Sequence, residues 1–191
     1  MREPKSAMIN VPSSFRGFTL IELLVTISVL AIVLSLAIPS FQDMIRRNRL
    51  ASETNNLVSA LAIARSEAIK RGGIVTICKT SNPDATSPNC AVGASWENGL
   101  IVFTDGGTRG TVDGTDLRLK VQQPGSIGGP IITPTINFAN FVSYAAAGAA
   151  VANNSVRDLP TFGSFTVCLN NVSRVVGVAM SGRVITTPGV C

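Results

Sequence analysis

One apolar run near the N-terminus constrains this chain more than any other feature. Residues 18–38 are 21 consecutive positions with a single charged side chain, Glu22. As a helix that rises ~1.5 Å per residue, the run measures about 32 Å, close to the ~30 Å hydrocarbon core of a bilayer. A cleaved signal peptide has a shorter apolar region and a small-residue cleavage site, which Pro39-Ser40-Phe41 does not supply. The run is therefore predicted to span a membrane rather than to be a signal peptide or a buried core helix.

The composition excludes most catalytic chemistry. The chain has 191 residues, no histidine and only 14% charged residues, against ~25% in an average protein. Without histidine, serine and cysteine triads and most zinc sites lose their usual residue. The spacing of the carboxylates does not assign any pair as acid and base. We therefore expect a protein that is not an enzyme, with no catalytic residue, no cofactor and no metal.

Four cysteines indicate the compartment. Cys78, Cys90, Cys168 and Cys191 form an even set without a Cys-x-x-Cys pair, which favours structural disulfides in an oxidising compartment over redox chemistry or zinc. Three connectivities are open, and sequence proximity favours Cys78 with Cys90 and Cys168 with Cys191. Four free thiols in a cytosolic protein are the alternative. Three basic residues precede the apolar run and three follow it, so the positive charges do not predict its orientation in the membrane. The cysteines instead predict that the C-terminal part lies on the oxidising side.

A second helical segment follows the run. Apolar residues recur at helical spacing over residues 40–71, and Gly72-Gly73 then ends the helix. The predicted packing face consists of Leu50, Leu57, Leu61, Ala64 and Ala68, with Val58 and Ile69 beside them. Pro39 lacks an N–H, so a kink or local melting near Ile38 is expected. Six basic and three acidic residues give this segment a charge of +3, which indicates a solvated or lipid-facing surface.

Beyond Gly73, short apolar runs alternate with turn residues, which is typical of strands. The predicted strands are 74–79, 99–104, 117–121, 131–138, 165–169, 174–180 and 183–186. Residues 140–154 are rich in alanine and stay open between an irregular loop and a short helix. The order of elements predicts an α+β fold, with one long N-terminal helix packed on a C-terminal antiparallel β-sheet domain.

The segment from Asp105 to Asp116 superficially resembles a calcium loop. It has an acid first, a glycine sixth and an acid twelfth, but Gly107 and Arg109 stand where oxygen ligands are needed. A plain hairpin turn is the favoured interpretation.

The start of the chain resembles a known class. A short basic leader (Arg2, Lys5, Arg16) precedes Gly17-Phe18-Thr19-Leu20-Ile21-Glu22, and the apolar helix follows with Pro39 near its end. This pattern resembles the type IV pilins and the type II secretion pseudopilins. The resemblance implies that a prepilin peptidase cuts after Gly17 and methylates Phe18 as the new N-terminus. It also implies that Glu22 pairs with the N-terminal amine of a neighbouring subunit in a filament.

A second resemblance covers most of the remaining chain. Residues 64–71 leading into Val75-Thr76-Ile77-Cys78, then residues 96–105 and Ser181-Gly182-Arg183-Val184, are similar to the GspH/FimT group. The group implies a minor pilin or minor pseudopilin that sits at the filament tip and primes assembly. Trp96, within the second motif, is interpreted as a core or loop anchor.

Together these observations predict a minor pilin of the type IV pilus that promotes pilus assembly. Its expected organisation is a cleaved leader (1–17), a membrane or filament-core helix (18–38), an amphipathic continuation (39–71) and a β-rich periplasmic head (72–191). The expected partners are the inner membrane, the prepilin peptidase and other major and minor pilins or pseudopilins. The anchored form is expected to cross the inner membrane once, and the assembled form to belong to a surface pilus.

Two alternatives remain. A pseudopilin of the type II secretion system has the same N-terminal features. A DNA-binding minor pilin for natural transformation is expected, from the FimT side of the family, to have Gly-Arg-x-Arg near its C-terminus. Here Gly182-Arg183-Val184-Ile185 lacks the second arginine. The candidate DNA contacts are therefore Arg174 and Arg183, with a net charge of only +2 over the last 35 residues.

Overall fold

The computed structural model describes residues 17–125, 128–152 and 161–191. The chain divides into two units, Met1–Gln42 and Asp43–Cys191. One helix, α1 (Leu20–Arg71), supplies all the regular structure described in the first unit and the first element of the second.

The part of α1 in the first unit has an exposed apolar surface. Of the helices described, α1 is the one long and apolar enough to cross a membrane. Its large apolar side chains are about half to three-quarters exposed up to Ile38: Leu20, Ile21, Leu23, Leu24, Val25, Ile27, Val29, Leu30, Ile32, Val33, Leu34 and Ile38. Each would cost about 1.5–3 kcal/mol to leave in water, so this surface needs another apolar environment.

The two ends of α1 and its single proline follow simple backbone rules. Gly72 has φ +63°, and the Gly73 N–H donates to the Ala68 carbonyl at 3.3 Å, which is the glycine-based cap predicted from the sequence. Helical structure continues through position 39, so the local melting expected near Ile38 is absent from the structure. A proline removes one hydrogen bond, and the bonds of the flanking turns are enough to keep the helix. The bend itself stays a prediction.

The described residues of the second unit form nine strands in two antiparallel sheets. Their bounds are β1 (Val75–Lys79), β2 (Leu100–Thr104), β3 (Arg118–Gln122), β4 (Ile131–Pro134), β5 (Phe141–Tyr144), β6 (Ala150–Ala152), β7 (Gly163–Leu169), β8 (Val172–Val178) and β9 (Val184–Pro188). The first sheet has the order β3-β2-β1-β5-β6 and the second β4-β7-β8-β9. The predicted α+β class is confirmed, but one sheet was expected and the described residues form two.

The predicted strands are all present, most of them within two residues of their expected ends. The exception is 131–138, where the strand ends at Pro134 and a 3₁₀ turn follows at Ile136–Phe138. Both interpretations of residues 140–154 were wrong, because this segment contains β5 and β6. The residues of β5, Phe141 to Tyr144, are themselves typical of a strand, and β5 pairs with β1.

One hydrophobic core joins α1 to both sheets. The helix contributes a buried face that contains the five residues predicted at helical spacing, together with Ala60: Leu50, Leu57, Ala60, Leu61, Ala64 and Ala68. Of the two residues predicted beside them, Val58 packs against this core, whereas Ile69 is 52% exposed. The first sheet adds Val75, Ile77, Val102 and Tyr144, and the second adds Phe165, Val167, Val176 and Val178. The three alanines let the helix backbone approach the strands closely, so α1 forms one wall of the head.

A smaller cluster covers the other face of the first sheet. Cys78, Ile101 and Phe103 are buried there, and Phe141 packs beside them. A disulfide joins Cys78 on β1 to Cys90 in the long connection between β1 and β2, with 5.5 Å between the Cα atoms. This confirms the first predicted pairing and ties that connection to the sheet.

The second predicted pairing is not formed in the structure. Cys168 on β7 and Cys191 at the chain end are both thiols, and the Cys191 Sγ donates to the Val172 carbonyl at 3.5 Å. Desolvation and the neighbouring Cys191 thiol raise the pKa of the Cys168 thiol to about 11. A Cys168–Cys191 disulfide stays a prediction for the oxidised protein.

We predict that the double variant Cys78→Ser/Cys90→Ser loses about 3 kcal/mol of unfolding free energy, because the unfolded chain regains the closed loop. Urea unfolding of the full chain in neutral detergent, followed by fluorescence of the buried Trp96, measures this loss. The matched control is Cys168→Ser/Cys191→Ser, for which the thiol form of the structure predicts a much smaller effect. An unchanged stability of the first variant would contradict the prediction, and an equal loss in the control would reveal a second disulfide.

Candidate functional site

The predicted processing site lies at the exposed start of the described chain. Gly17 and Phe18 precede α1, and Phe18 is 73% exposed. No described atom would lie within 4 Å of a Cβ at Gly17, so the backbone on either side of the bond to Phe18 is open. The structure thus leaves this peptide bond accessible, while its cleavage and the methylation of Phe18 stay predictions.

Thr19 caps the first turn of α1. The Glu22 N–H donates to the Thr19 hydroxyl at 3.3 Å, and the Leu23 N–H donates to the Thr19 carbonyl at 3.2 Å. Thr19 and Glu22 have the spacing of a capping box. The sequence contained this signal, which was not used in predicting the site.

Glu22 is the one polar side chain in the described part of the apolar run for which we find no hydrogen-bond partner. The hydroxyls of Thr26, Ser28 and Ser35 each donate to a carbonyl one turn earlier, at 2.7–2.8 Å. The Glu22 carboxylate has no side-chain partner among the described residues. It lies in the first turn, where the helix dipole favours a negative charge. Its pairing with the N-terminal amine of a neighbouring subunit stays a prediction.

In the head, Arg65 on α1 holds two turns together. Its Nε donates to the Gly148 carbonyl at 3.1 Å in the β5–β6 connection. Its Nη2 donates to the Ser181 carbonyl at 3.0 Å in the β8–β9 turn. The Ala150 N–H also donates to the Met180 carbonyl at 3.1 Å and joins the same turns directly. Arg65 belongs to a motif noted in the sequence, but its role was missed because both acceptors are distant in the chain.

The same contact explains the Ser181-Gly182 part of the C-terminal motif. Gly182 is buried and has φ +78°, a backbone conformation that disfavours side chains. A Cβ at this position would collide with the Gly148 carbonyl oxygen and lie 2.9 Å from the Arg65 Nε. Gly182 is therefore needed for the turn conformation and for the close approach of the Arg65 guanidinium.

The two arginines proposed as DNA contacts lie at opposite ends of the β8–β9 hairpin. Arg174 is paired with Pro188 near its open end, and it lines a groove with Arg47. Arg183 is exposed in the turn and lines a different groove with Arg65 and Lys70. The structure therefore does not bring Arg174 and Arg183 into one cationic site.

The acidic loop uses its carboxylates to bind its own backbone. Asp116 accepts from the Gly106 N–H at 2.9 Å and from the Asp113 N–H at 3.1 Å. Asp113 in turn accepts from the Thr108 N–H at 3.0 Å. These bonds agree with the favoured interpretation as a turn. Within residues 17–125, 128–152 and 161–191, no group of three or more Cys, Asp or Glu side chains is placed to hold a metal ion.

Asp105 connects this loop to the buried side of β1. Its Oδ2 accepts from the Thr76 hydroxyl at 2.6 Å and from the Gly110 N–H at 2.8 Å. Thr76 and Ser143 hydroxyls also share a hydrogen bond of 2.6 Å. Burial raises the pKa of Asp105 above its ordinary value, and the bonds from Gly110 and Thr76 oppose this shift. These bonds join the acidic loop to β1 and, through Thr76, to Ser143 on β5.

Trp96 is a core anchor, as its sequence context predicted. Its ring is 2% exposed and meets Phe165 edge to face, with 4.9 Å between ring centroids. The indole N–H donates to the Ala139 carbonyl at 3.3 Å.

Two family models match the chain. One, described as type II transport protein GspH, matches residues 53–182, and the other, described as a prokaryotic N-terminal methylation motif, matches residues 12–38. The first therefore covers α1 from Glu53 onward and the sheets up to the β8–β9 turn.

Curated relatives are similar over part of the chain. Prepilin peptidase-dependent protein D of Escherichia coli (strain K12) is 32% identical over 47% of this chain and 62% of its own length. Fimbrial protein EcpC of Eikenella corrodens is 32% identical over 55% of this chain and 73% of its own length. Type IV major fimbrial protein FimA of Dichelobacter nodosus is 35% identical over 41% of this chain and 44% of its own length. The matches thus leave more than a third of protein D and over half of FimA uncovered.

A solved structure has the same fold. The type IV minor pilin FimU of Pseudomonas aeruginosa (strain PAO1) superposes with a TM-score of 0.51, covering 73% of this chain and 93% of the FimU chain. The sequence identity is 20%, so this likeness concerns the fold alone.

We predict that Gly182→Ala destabilises the head by about 3 kcal/mol or more, because backbone strain and a steric clash add. Gly114→Ala is the matched control, since Gly114 also has a positive φ (+51°) but open space around it. The control should lose about 1 kcal/mol from backbone strain alone. Urea unfolding of the full chain, followed by Trp96 fluorescence, compares the two. Equal losses would show that the contact among Gly182, Gly148 and Arg65 contributes nothing.

Proposed function

Because this chain belongs to the GspH family, we propose that it is a minor pilin, incorporated at or near the tip of a type IV pilus, where it promotes assembly. The family consists of structural filament proteins, so the prediction that the chain is not an enzyme is confirmed. The observation that carries the proposal is the exposed apolar half of α1, which continues into a folded head.

That apolar half needs two different partners during the life of the protein. Before assembly, a bilayer buries it, since its length matches the hydrocarbon core. After assembly, the same side chains pack against the corresponding helices of neighbouring subunits. The internally bonded hydroxyls of Thr26, Ser28 and Ser35 suit both environments, because neither supplies water.

Leader removal creates a positively charged partner for the Glu22 carboxylate. Cleavage after Gly17 leaves a positively charged amine on Phe18, one residue before the cap Thr19. A cation at a helix N-terminus is unfavourable, so the amine also gains from an anionic partner. Pairing of this amine with the Glu22 carboxylate of a neighbouring subunit satisfies both groups in the filament core.

The disulfide of the head supports a periplasmic location. The Cys78–Cys90 bond is stable on the oxidising side of the membrane. We therefore place the head in the periplasm, with one span in the inner membrane. The prepilin peptidase would process the leader (1–17), and the assembled protein would belong to a surface pilus with other major and minor pilins.

A pseudopilin of the type II secretion system is the second candidate. The description of the matching family model favours it, whereas the fimbrial relatives and the FimU fold favour a pilus. DNA uptake receives no such support from the head, because Arg174 and Arg183 line different grooves.

We predict that Glu22→Ala and Glu22→Gln leave leader cleavage largely intact but lower the amount of this subunit in sheared pili at least tenfold. Loss of the carboxylate leaves the neighbouring amine unpaired in an apolar core. Immunoblots of membranes and sheared pili measure cleavage and incorporation separately. Ser28→Ala is the control, because its hydroxyl bonds only within the helix. Normal incorporation of both Glu22 variants would refute the charge pair.

Deletion of the gene distinguishes a pilus from a secretion system. A minor pilin should be needed for surface pili, and its absence should leave secretion of extracellular enzymes unchanged. Counting pili by electron microscopy and assaying secreted activity in the same strains tests this, with the intact gene restored as control. Normal piliation with lost secretion would reverse the assignment.

A further inference from the structure

We propose that the groove between Arg47 and Arg174 binds a phosphate-bearing anion, and that the headgroup of an anionic phospholipid is its source while the subunit is anchored. The inference rests on the proposed membrane anchoring only for the source of the phosphate. The groove itself belongs to the second unit of the structure.

The groove lies between α1 and the open end of the β8–β9 hairpin. It has a volume of about 280 Å³, near the lower end of small-ligand sites (~300 Å³). Its walls are Arg47, Leu50, Val172, Ser173, Arg174, Thr186, Thr187 and Pro188. Because side chains alternate along strands, Arg174 shares the face of β8 that carries the core residue Val176. Thr186 on β9 is paired with Val176, so it belongs to the same face.

The two guanidiniums in this groove lack a counter-ion. Neither Arg47 nor Arg174 has a hydrogen bond or an ion pair with any described residue. Arg46 contacts Asp43 at 3.3 Å and Arg71 contacts Glu67 at 2.6 Å, whereas the exposed Arg49 and Arg183 have no such partner among the described residues. Arg47 and Arg174, which are also exposed, differ from those two because both line one groove. Two unpaired guanidiniums on one groove favour an anion that accepts hydrogen bonds from both.

The chemistry of the groove favours phosphate among anions. A guanidinium presents planar, paired donors that match phosphate oxygens, and two of them can bind one phosphate from two sides. The hydroxyls of Thr186 and Thr187 add donors on the β9 side, while Leu50 and Val172 give the groove an apolar part. A phosphodiester with an attached apolar portion suits this mixture.

The position of Arg47 in the chain points to a membrane lipid. Arg47 comes nine positions after Ile38, the last residue of the predicted span. The polar headgroup region is several ångströms thick on each side of the hydrocarbon core, and an arginine side chain reaches toward it. Basic residues at this distance are attracted to anionic leaflets, and Arg174 adds a second contact from a distant part of the sequence.

Binding to the full-length protein in neutral detergent tests the site. Soluble dihexanoyl phosphatidylglycerol is titrated in one arm and inorganic phosphate in the other, with isothermal calorimetry as the measurement. We expect saturable one-to-one binding, weakened about tenfold by Arg47→Ala and by Arg174→Ala, because each removes a charged donor pair. Unchanged unfolding curves show that the variants remain folded.

Two control variants distinguish binding in the groove from non-specific attraction of anions to the basic surface. Arg49→Ala removes a nearby exposed cation of α1, and Arg183→Ala removes an exposed cation at the other end of the hairpin. Each should change affinity less than twofold. Equal losses in all four variants, or binding that does not depend on Arg174, would overturn the proposal.

The two arms also identify the source of the phosphate. Binding of the lipid with displacement by phosphate supports the site and the headgroup, whereas binding of inorganic phosphate alone supports the site with a free anion. Absence of both, together with a crosslink from Arg174 to an acidic segment of a neighbouring subunit in pili, would overturn the proposal. Failure of this site would leave leader cleavage and the effect of Glu22→Ala unaffected, so it is distinguishable from failure of the proposed function.

Discussion

The head depends on the burial of one face of a helix whose N-terminal apolar part has no partner among the described residues. Leu50, Leu57 and Leu61 fill the core, and the alanines between and beyond them bring the backbone of α1 close to the strands. Both sheets contribute to this single core, so removal of the helix would expose the inner face of each. The apolar part of α1 up to Ile38 is instead exposed, and its side chains need a bilayer or other helices to bury them. One continuous element therefore has to satisfy two separate environments.

Local sequence patterns predicted most of the fold. The helical face at Leu50 to Ala68, the glycine cap at Gly72 and the strands depend on near neighbours, and each is where the pattern indicated. The errors had two causes. The Phe, Val and Tyr residues of β5 favour a strand, but they lie at the start of a segment that is otherwise rich in alanine. The division into two sheets depends on pairings between distant residues that no local pattern specifies.

The candidate sites divide in the same way. Gly17, Phe18 and Glu22 lie within six residues, so a sequence motif was sufficient to identify them. The hydrogen bonds of Arg65 and the groove shared by Arg47 and Arg174 join residues more than 80 positions apart. Arg174 and Arg183 are near in sequence but separated by the length of a hairpin. Their closeness in the sequence therefore wrongly suggested that Arg174 and Arg183 form one cationic site for DNA.

The connection between α1 and the head has a mechanical consequence. Only Gly72, Gly73 and Ile74 separate the end of the helix from β1, and β1 has hydrogen-bonded neighbours on both sides, β2 and β5. A pull along the helix therefore enters the head through an interior strand, whose two ladders must slide together before it can leave the sheet. An edge strand can instead be peeled away one bond at a time. A subunit held in a fibre by its helix is thus joined to its head at the strand that best resists tension.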